Sequence, residues 1–263
     1  LKVYGQSLKT MLITDPPHHA QIQYAGQTMA WCSTDNEEAY KRNMRAVPSK
    51  KQLIANNWVD TPIEYKFNSH GYRTPEFEES NTRFMTLGCS FTSGIGLPLD
   101  NIWPTYLSND LNIPVDNLGV LGASNGLVFR VASYWIPKLR PKFVVWQKTF
   151  EQRFEVINQY DESNVLSPIN DSITGTEIFK NWWFNDINSL LDAKRNELAI
   201  RYICSEYQIP LFTCYIDDFR NPVQGISRDL IHSGPMNHRF VANSLAKQIN
   251  KYYQEDKFYF KNC

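Results

Sequence analysis

Phe84-Met85-Thr86-Leu87-Gly88-Cys89-Ser90-Phe91-Thr92-Ser93-Gly94 is a short apolar run that stops at a glycine and passes at once to a hydroxyl side chain. Four apolar or β-branched residues in a row, bounded by glycine, predict a buried strand. From Arg83 onward such runs alternate with helical patterns. Strands are expected at Phe84 to Leu87, Val115 to Leu118, Phe143 to Gln147 and Leu211 to Tyr215. Helices are expected at Ile102 to Leu111, Asn125 to Leu139, Thr176 to Tyr207 and Met236 to Tyr253. In the last of these, Phe240, Val241, Leu245, Ile249 and Tyr252 recur at helical spacing and are read as its buried stripe. The alternation predicts an α/β fold with a parallel sheet. Ligands bind such sheets at the carboxyl ends of the strands, which is where Ser90 falls.

A serine there needs a base. Arg228-Asp229-Leu230-Ile231-His232-Ser233-Gly234-Pro235 supplies an acid and an imidazole three residues apart, after the last strand. Serine first, then aspartate and histidine together, is one of the orders in which nucleophile, orienting carboxylate and base are assembled. Imidazole is the natural base near neutral pH. Cys89 is the more acidic neighbour, but successive residues leaving a strand point in different directions. Cys89 is therefore read as a buried filler and Ser90 as the exposed group.

These residues resemble the SGNH/GDSL hydrolase family. Its first block is a Gly-Asp-Ser run after the first strand, and its last is Asp-x-x-His before the final helix. The resemblance covers roughly Arg83 to Tyr253. Cys89 stands where the family has aspartate, whereas Asp229-Leu230-Ile231-His232 fits unchanged. The second block, a glycine lending a backbone N–H to the oxyanion hole, is matched in Asn117-Leu118-Gly119-Val120-Leu121-Gly122-Ala123-Ser124-Asn125, with Gly122 the better candidate. The third block, Gly-x-Asn-Asp after the third strand, has no counterpart, because Lys148-Thr149-Phe150-Glu151-Gln152-Arg153 follows Phe143-Val144-Val145-Trp146-Gln147.

The resemblance implies a three-layer α/β/α sandwich around a parallel, flavodoxin-like sheet. It implies a serine esterase that needs no cofactor and no metal, with Ser90, Asp229 and His232 catalytic. The oxyanion donors would come from Ser90, Gly122, Asn125 and Thr149. Asn125 is alternatively the cap of the helix it opens. Arg153 and Glu155 are expected on the active face, binding substrate or pairing with each other. Small acyl esters, acetyl groups on carbohydrate first, are the substrate class it suggests. The alternative is a catalytically decayed structural or binding protein on the same scaffold, such as a phage virion component, whose partners are other copies or a virion. Restoring aspartate at position 89 is expected to be tolerated.

Residues 1–80 are irregular and read as an N-terminal extension packed on a hydrolase-like domain over 81–263. Asp15-Pro16-Pro17-His18-His19 breaks the pattern, and its histidines read as a solvated loop. Thr34 to Arg45 reads as a helix capped by Thr34 or Asp35, with Glu37 and Glu38 in its first turn. His70 reads as a turn residue and His238 as a surface histidine at a helix start.

The 263 residues carry 27 basic and 27 acidic side chains, so no global positive field exists to gather nucleic acid or an anionic membrane. Five cysteines without CxxC spacing read as reduced thiols, not a disulfide framework. No apolar run approaches the about 18 residues of a membrane span, and Leu1-Lys2-Val3-Tyr4-Gly5 has no signal-peptide pattern. The expectation is a soluble product made in the cytoplasm, virion-associated under the alternative reading.

Overall fold

The computed structural model describes residues 17–157, 163–166, 186–219 and 225–259. In chain order the elements are β1 (Thr28–Met29), α1 (Glu37–Arg45), α2 (Val47–Ala55), β2 (Tyr65–Lys66), β3 (Phe84–Gly88), α3 (Ser90–Ser93) and α4 (Trp103–Leu111). There follow β4 (Val115–Gly119), α5 (Asn125–Leu139), β5 (Val144–Lys148), β6 (Phe154–Ile157), β7 (Ser163–Leu166), α6 (Asp186–Glu206), β8 (Leu211–Tyr215) and α7 (Pro235–Tyr259).

The central sheet has the order β4-β3-β5-β8, and every pairing in it is parallel. Strand β3 is buried at all its residues, which is why it reads as a continuous apolar run and not as an alternation. The chain steps from β3 to β4 in one direction, then returns past β3 to reach β5. Right-handed crossovers therefore put α4 and α5 on opposite faces. Helix α4 packs with α7, and α5 packs with α6, which completes three layers. The reversal of direction places a switch point at the carboxyl end of β3. The main core is filled between these layers by Phe84, Leu87, Trp103, Leu118, Val131, Phe143, Trp146 and Leu245.

Residues 17–80 contribute the two-residue antiparallel pair β1–β2 and the helices α1 and α2. Their apolar side chains join those of the 90s. Cys32, Ile63, Tyr65 and Phe67 cluster with Ile95, while Leu53 and Trp58 cluster with Leu97 and Ile102.

Several expectations need correcting. The cap of α1 is Asn36, whose Oδ1 accepts the Ala39 N–H at 2.8 Å; Thr34 and Asp35 are engaged elsewhere. Of the expected stripe on α7, Val241, Leu245 and Ile249 are buried, but Phe240 is 58% and Tyr252 39% exposed. Ala242 and Ala246 take their places, small side chains that let the helix lie close to its neighbours. The stretch after β5 contains an antiparallel pair, β6–β7, that its polarity concealed. Positions 176–185 of the expected long helix, and most of the polar stretch 158–175, lie outside the described residues, as does Cys263. The four described cysteines are free and buried.

Candidate active site

Gly88 ends β3, and a side chain there has no room. A Cβ would collide with Thr92 Oγ1 and lie 2.8 Å from Gln147 Oε1. The chain then turns into the single-turn helix α3, with Ser90 its first residue. Cys89 is fully buried, and its Sγ donates to Gln147 Oε1 at 3.3 Å. The same oxygen takes the Cys89 N–H and the Thr92 hydroxyl, so one amide carbonyl from β5 fixes the strand-to-helix turn.

Ser90 Oγ lies 2.8 Å from His232 Nε2, and His232 Nδ1 lies 2.6 Å from Asp229 Oδ2. A carboxylate can only accept, so Nδ1 carries the proton and Nε2 is left to accept from Ser90. The turn 229–232 is built for this. Leu230 adopts a left-handed φ of 58°, and Asp229 Oδ1 accepts the N–H groups of Ile231 and His232, each at 3.0 Å. Ser227 Oγ adds a third donor to Oδ1 at 2.6 Å, and Thr34 Oγ1 donates to Oδ2 at 2.6 Å. Burial pushes the Asp229 carboxyl upward, but the hydrogen bonds from His232, Ser227 and Thr34 outweigh it and hold the group well below the ordinary carboxylate range. Asp229 is thus an anion whenever the protein is folded near neutral pH. Phe91 packs edge-on against the His232 ring with centroids 4.9 Å apart, which limits the ring's freedom to swing.

The candidate oxyanion donors divide into two groups. The Ser90 N–H opens α3 and the Gly122 N–H sits in a turn closed by Ala123 N–H to Val120 O at 3.1 Å; neither donates to another described residue. Gly122 has φ 67°, the left-handed value that a type II turn demands at its third position, and the space beside its Cα is open. Asn125 and Thr149 are engaged with each other instead. The Asn125 amide accepts the Thr149 N–H at 3.1 Å and donates to Thr149 O at 3.3 Å. The cap of α5 is Ser124, whose Oγ accepts the Leu127 N–H, so Asn125 clasps the loop after β5 and caps nothing.

Arg153 donates to Thr149 Oγ1 at 2.9 Å and to Ala123 O at 3.3 Å, bridging the same two loops. It does not pair with Glu155, whose carboxylate takes Arg130 at 2.6 Å. His238 is buried, not on the surface. Its Nδ1 accepts the Trp103 N–H at 3.1 Å and so caps α4. His19 is likewise buried, with its ring 4.7 Å from that of Tyr72, and is no solvated loop residue. His70 lies in a turn, donating its N–H to Asn68 Oδ1, with its ring stacked on Phe77. No group of three or more His, Cys, Asp or Glu with the geometry to hold a metal occurs among the described residues. No described helix is long and apolar enough to cross a membrane. Sequence reasoning missed Thr34, Ser227 and Gln147 as members of the site. Only the tertiary fold brings Thr34 and Gln147 there, whereas Ser227, two residues before Asp229, was within local reach.

No protein-family model matches the chain, and no curated protein matches it. Among solved structures it is similar to AlinE4, an SGNH-hydrolase family esterase, at 15% identity over 52% of this chain and 59% of that one, with a TM-score of 0.33. It is also similar to the psychrotrophic esterase EstA from Pseudoalteromonas sp., at 13% identity over 66% of this chain and 99% of that one, TM-score 0.37. A third is Est2A, an acetyl xylan esterase from the rumen bacterium Butyrivibrio proteoclasticus, at 11% identity over 68% of this chain and 66% of that one, TM-score 0.38. The chain thus spans 59% of the length of AlinE4. The chemistry assigned to this chain rests on its own side-chain distances and not on these likenesses.

Proposed function

We propose that this chain is a serine ester hydrolase of the SGNH type. The observation that carries the reading is the unbroken line of hydrogen bonds from Ser90 through His232 to Asp229, at the carboxyl edge of a parallel sheet. In the reaction Ser90 Oγ attacks the ester carbonyl as its proton passes to His232 Nε2. The negative charge develops on the carbonyl oxygen, for which the Ser90 and Gly122 N–H groups are the donors. His232, now cationic and held by Asp229, gives the proton to the departing alcohol. Water then attacks the acyl-serine with His232 again acting as base, and the acid is released.

The substrate we favour is a small acyl group, acetyl first, on a polar alcohol such as a carbohydrate. The choice follows the resemblance to the SGNH/GDSL family and not a pocket, because the cleft of about 410 Å³ beside the turn 229–231 is lined by Thr34, Asn36, Arg42, Asn43, Gln52 and Asp229 and by neither Ser90 nor His232. Labelling with an organophosphonate serine probe, followed by hydrolysis of acetyl and long-chain esters, tests the proposal. Ser90→Ala is expected to abolish both labelling and hydrolysis, with the thermal midpoint almost unchanged. Full hydrolysis by the alanine variant removes Ser90 from the mechanism.

One observation favours the decayed scaffold as a second reading. The third-block asparagine is absent, and the Thr149 N–H that stands near its place is spent on Asn125. Loss of one oxyanion donor lowers turnover by about 10²- to 10³-fold. A folded chain in which the probe never labels Ser90 would favour that reading.

A further inference from the structure

Thr34 lies 195 positions before Asp229 in sequence, yet its hydroxyl donates to Asp229 Oδ2, the oxygen that also takes the His232 Nδ1 proton. The other donors to this carboxylate, Ser227, Ile231 and His232, all come from its own turn. We infer that Thr34 is a positioning residue of the catalytic centre, and that the segment from Ala30 to Asp35 completes the site from outside the sheet. The inference rests on the ester-hydrolase reading for its kinetic consequences, and on geometry alone for the position of the His232 ring.

The local structure is built to deliver that one hydroxyl. Cys32 and Asp35 exchange backbone hydrogen bonds at 2.8 and 3.1 Å, which closes a tight loop around Ser33 and Thr34. Ser33 takes a left-handed φ of 56°, and Asn36 Nδ2 donates to Ser33 O, so the loop is fixed from both sides. The loop is then tied to the residue just before the catalytic acid. Arg228 donates to both Asp35 oxygens, at 2.9 and 2.7 Å, and to Ala30 O at 3.0 Å, while Trp31 covers its guanidinium at 4.1 Å. Tyr65 Oη donates to Asp35 Oδ2 at 2.5 Å and accepts the Gly96 N–H at 2.8 Å. The ion pair is almost wholly buried, with side-chain exposures of 5% and 1%. Asp35 and Arg228 thus hold the backbone, and Thr34 makes the single contact with the reacting triad.

Two effects follow chemically. The hydroxyl fixes which carboxylate oxygen faces His232, and it takes up part of the charge of that oxygen. Removing it frees the carboxylate to turn and changes the charge that the His232 Nδ1–H meets, so the ring is held less firmly in line with Ser90 and its Nδ1–H signal moves. The groups facing the His232 ring are Asp229, Ser90 and Phe91, with the His238 ring close enough to interact electrostatically.

The test compares Thr34→Val, which keeps the shape and removes the hydroxyl, with Thr34→Ser, which restores it. In the full chain, Thr34→Val is expected to lower the rate of probe labelling at Ser90 and kcat by about 10- to 100-fold, the rate equivalent of one hydrogen bond to a charged group. KM should change little. Thr34→Ser is expected to recover most of both. The proton NMR signal of His232 Nδ1–H is read in parallel and needs no turnover. If the probe fails even on the parent chain but Thr34→Val still moves the His232 Nδ1–H signal, the ester-hydrolase reading fails and the positioning role stands. If Thr34→Val lowers only the thermal midpoint, leaving both the Nδ1–H signal and the labelling rate as in the parent, Thr34 is structural and the inference is overturned.

Discussion

Cys89 sits one residue before Ser90 with no contact with water, and its neighbourhood decides what that position tolerates. Gln147 Oε1 faces it as an acceptor already serving three donors, the Cys89 thiol among them. An aspartate there would set a carboxylate against a carbonyl oxygen. Turning the Gln147 amide over would relieve that clash only by taking an acceptor from the Cys89 N–H and the Thr92 hydroxyl. The expected tolerance of Cys89→Asp is therefore reversed. This substitution should destabilise by at least about 1–3 kcal/mol, since it strands buried polar groups whichever way the amide turns. Cys89→Ser, which keeps a small donor, should stay close to the parent. Urea unfolding of the two variants checks this, and a Cys89→Asp variant as stable as the parent would mean that Gln147 is not fixed as described.

Helices α4 and α7 are joined by a hydrogen bond that depends on pH. His238 on α7 must be neutral to accept the Trp103 N–H, and burial, reinforced by His232, lowers its pKa from the ordinary 6.5 to about 3. A histidine depressed in the folded state binds its proton more readily when unfolded. Its stabilising contribution is thus complete above about 6.5 and falls away as the pH drops toward 3. His19, also lowered to about 3 by burial first and by His18 next, acts in the same direction. Depressed carboxylates such as Asp229 act in this direction only below their ordinary 3.8. The thermal midpoint should therefore decline between pH 6.5 and 4.5, by about 2–4 °C for each kcal/mol lost. His238→Asn, which can still accept the bond but does not titrate, should flatten part of that decline, and an equally steep decline would exclude His238 as its source. The burial of neither histidine was legible in the sequence. The strands β3, β4, β5 and β8 were, within a residue at either end: β3 and most of β5 are buried and read as apolar runs, whereas the edge strands β4, with Asp116 and Asn117, and β8, mostly half-buried, were legible from their place in the alternation. So were Ser90, Asp229 and His232: the spacing of Asp229 and His232 is local, and Ser90, 142 positions before His232, is marked by the strand end that precedes it. By contrast, Asn36 took the cap expected of Thr34 or Asp35 because those two side chains are claimed by Asp229 and Arg228, partners nearly 200 residues away. The pair β6–β7 was hidden because it lies outside the central sheet and its strands carry polar residues such as Glu155 and Asn164.

Across the whole molecule, residues 17–80 are joined to the sheet and its loops by buried polar contacts as well as by apolar packing. Gln21 reaches the end of β4, donating to Gly119 O and accepting the Leu121 N–H at 2.7 Å. Arg73 donates to the carbonyls of Ser93, Gly94 and Leu97, in the turn that follows Ser90. Trp58 Nε1 donates to Ile226 O at 2.6 Å, and Arg228 takes Asp35. Each contact leaves a buried group unpaired when its partner is removed, at about 1–3 kcal/mol apiece, and the rings of Tyr65, Phe67 and Tyr72 would leave apolar surface behind them. A domain of ordinary stability holds only about 5–15 kcal/mol in all, so losing several such contacts together is enough to unfold it. A chain beginning at Asn81 is therefore expected to be poorly soluble or to melt far below the parent. At temperatures where it stays folded, its labelling at Ser90 should be slowed at least as much as by Thr34→Val, because the Thr34 hydroxyl is gone. Expression of both chains, with circular dichroism melts and probe labelling, decides the matter. If the shortened chain melts like the parent and still reacts, residues 1–80 are a separate arm whose aromatic side chains serve another molecule, and the scaffold reading becomes the stronger one.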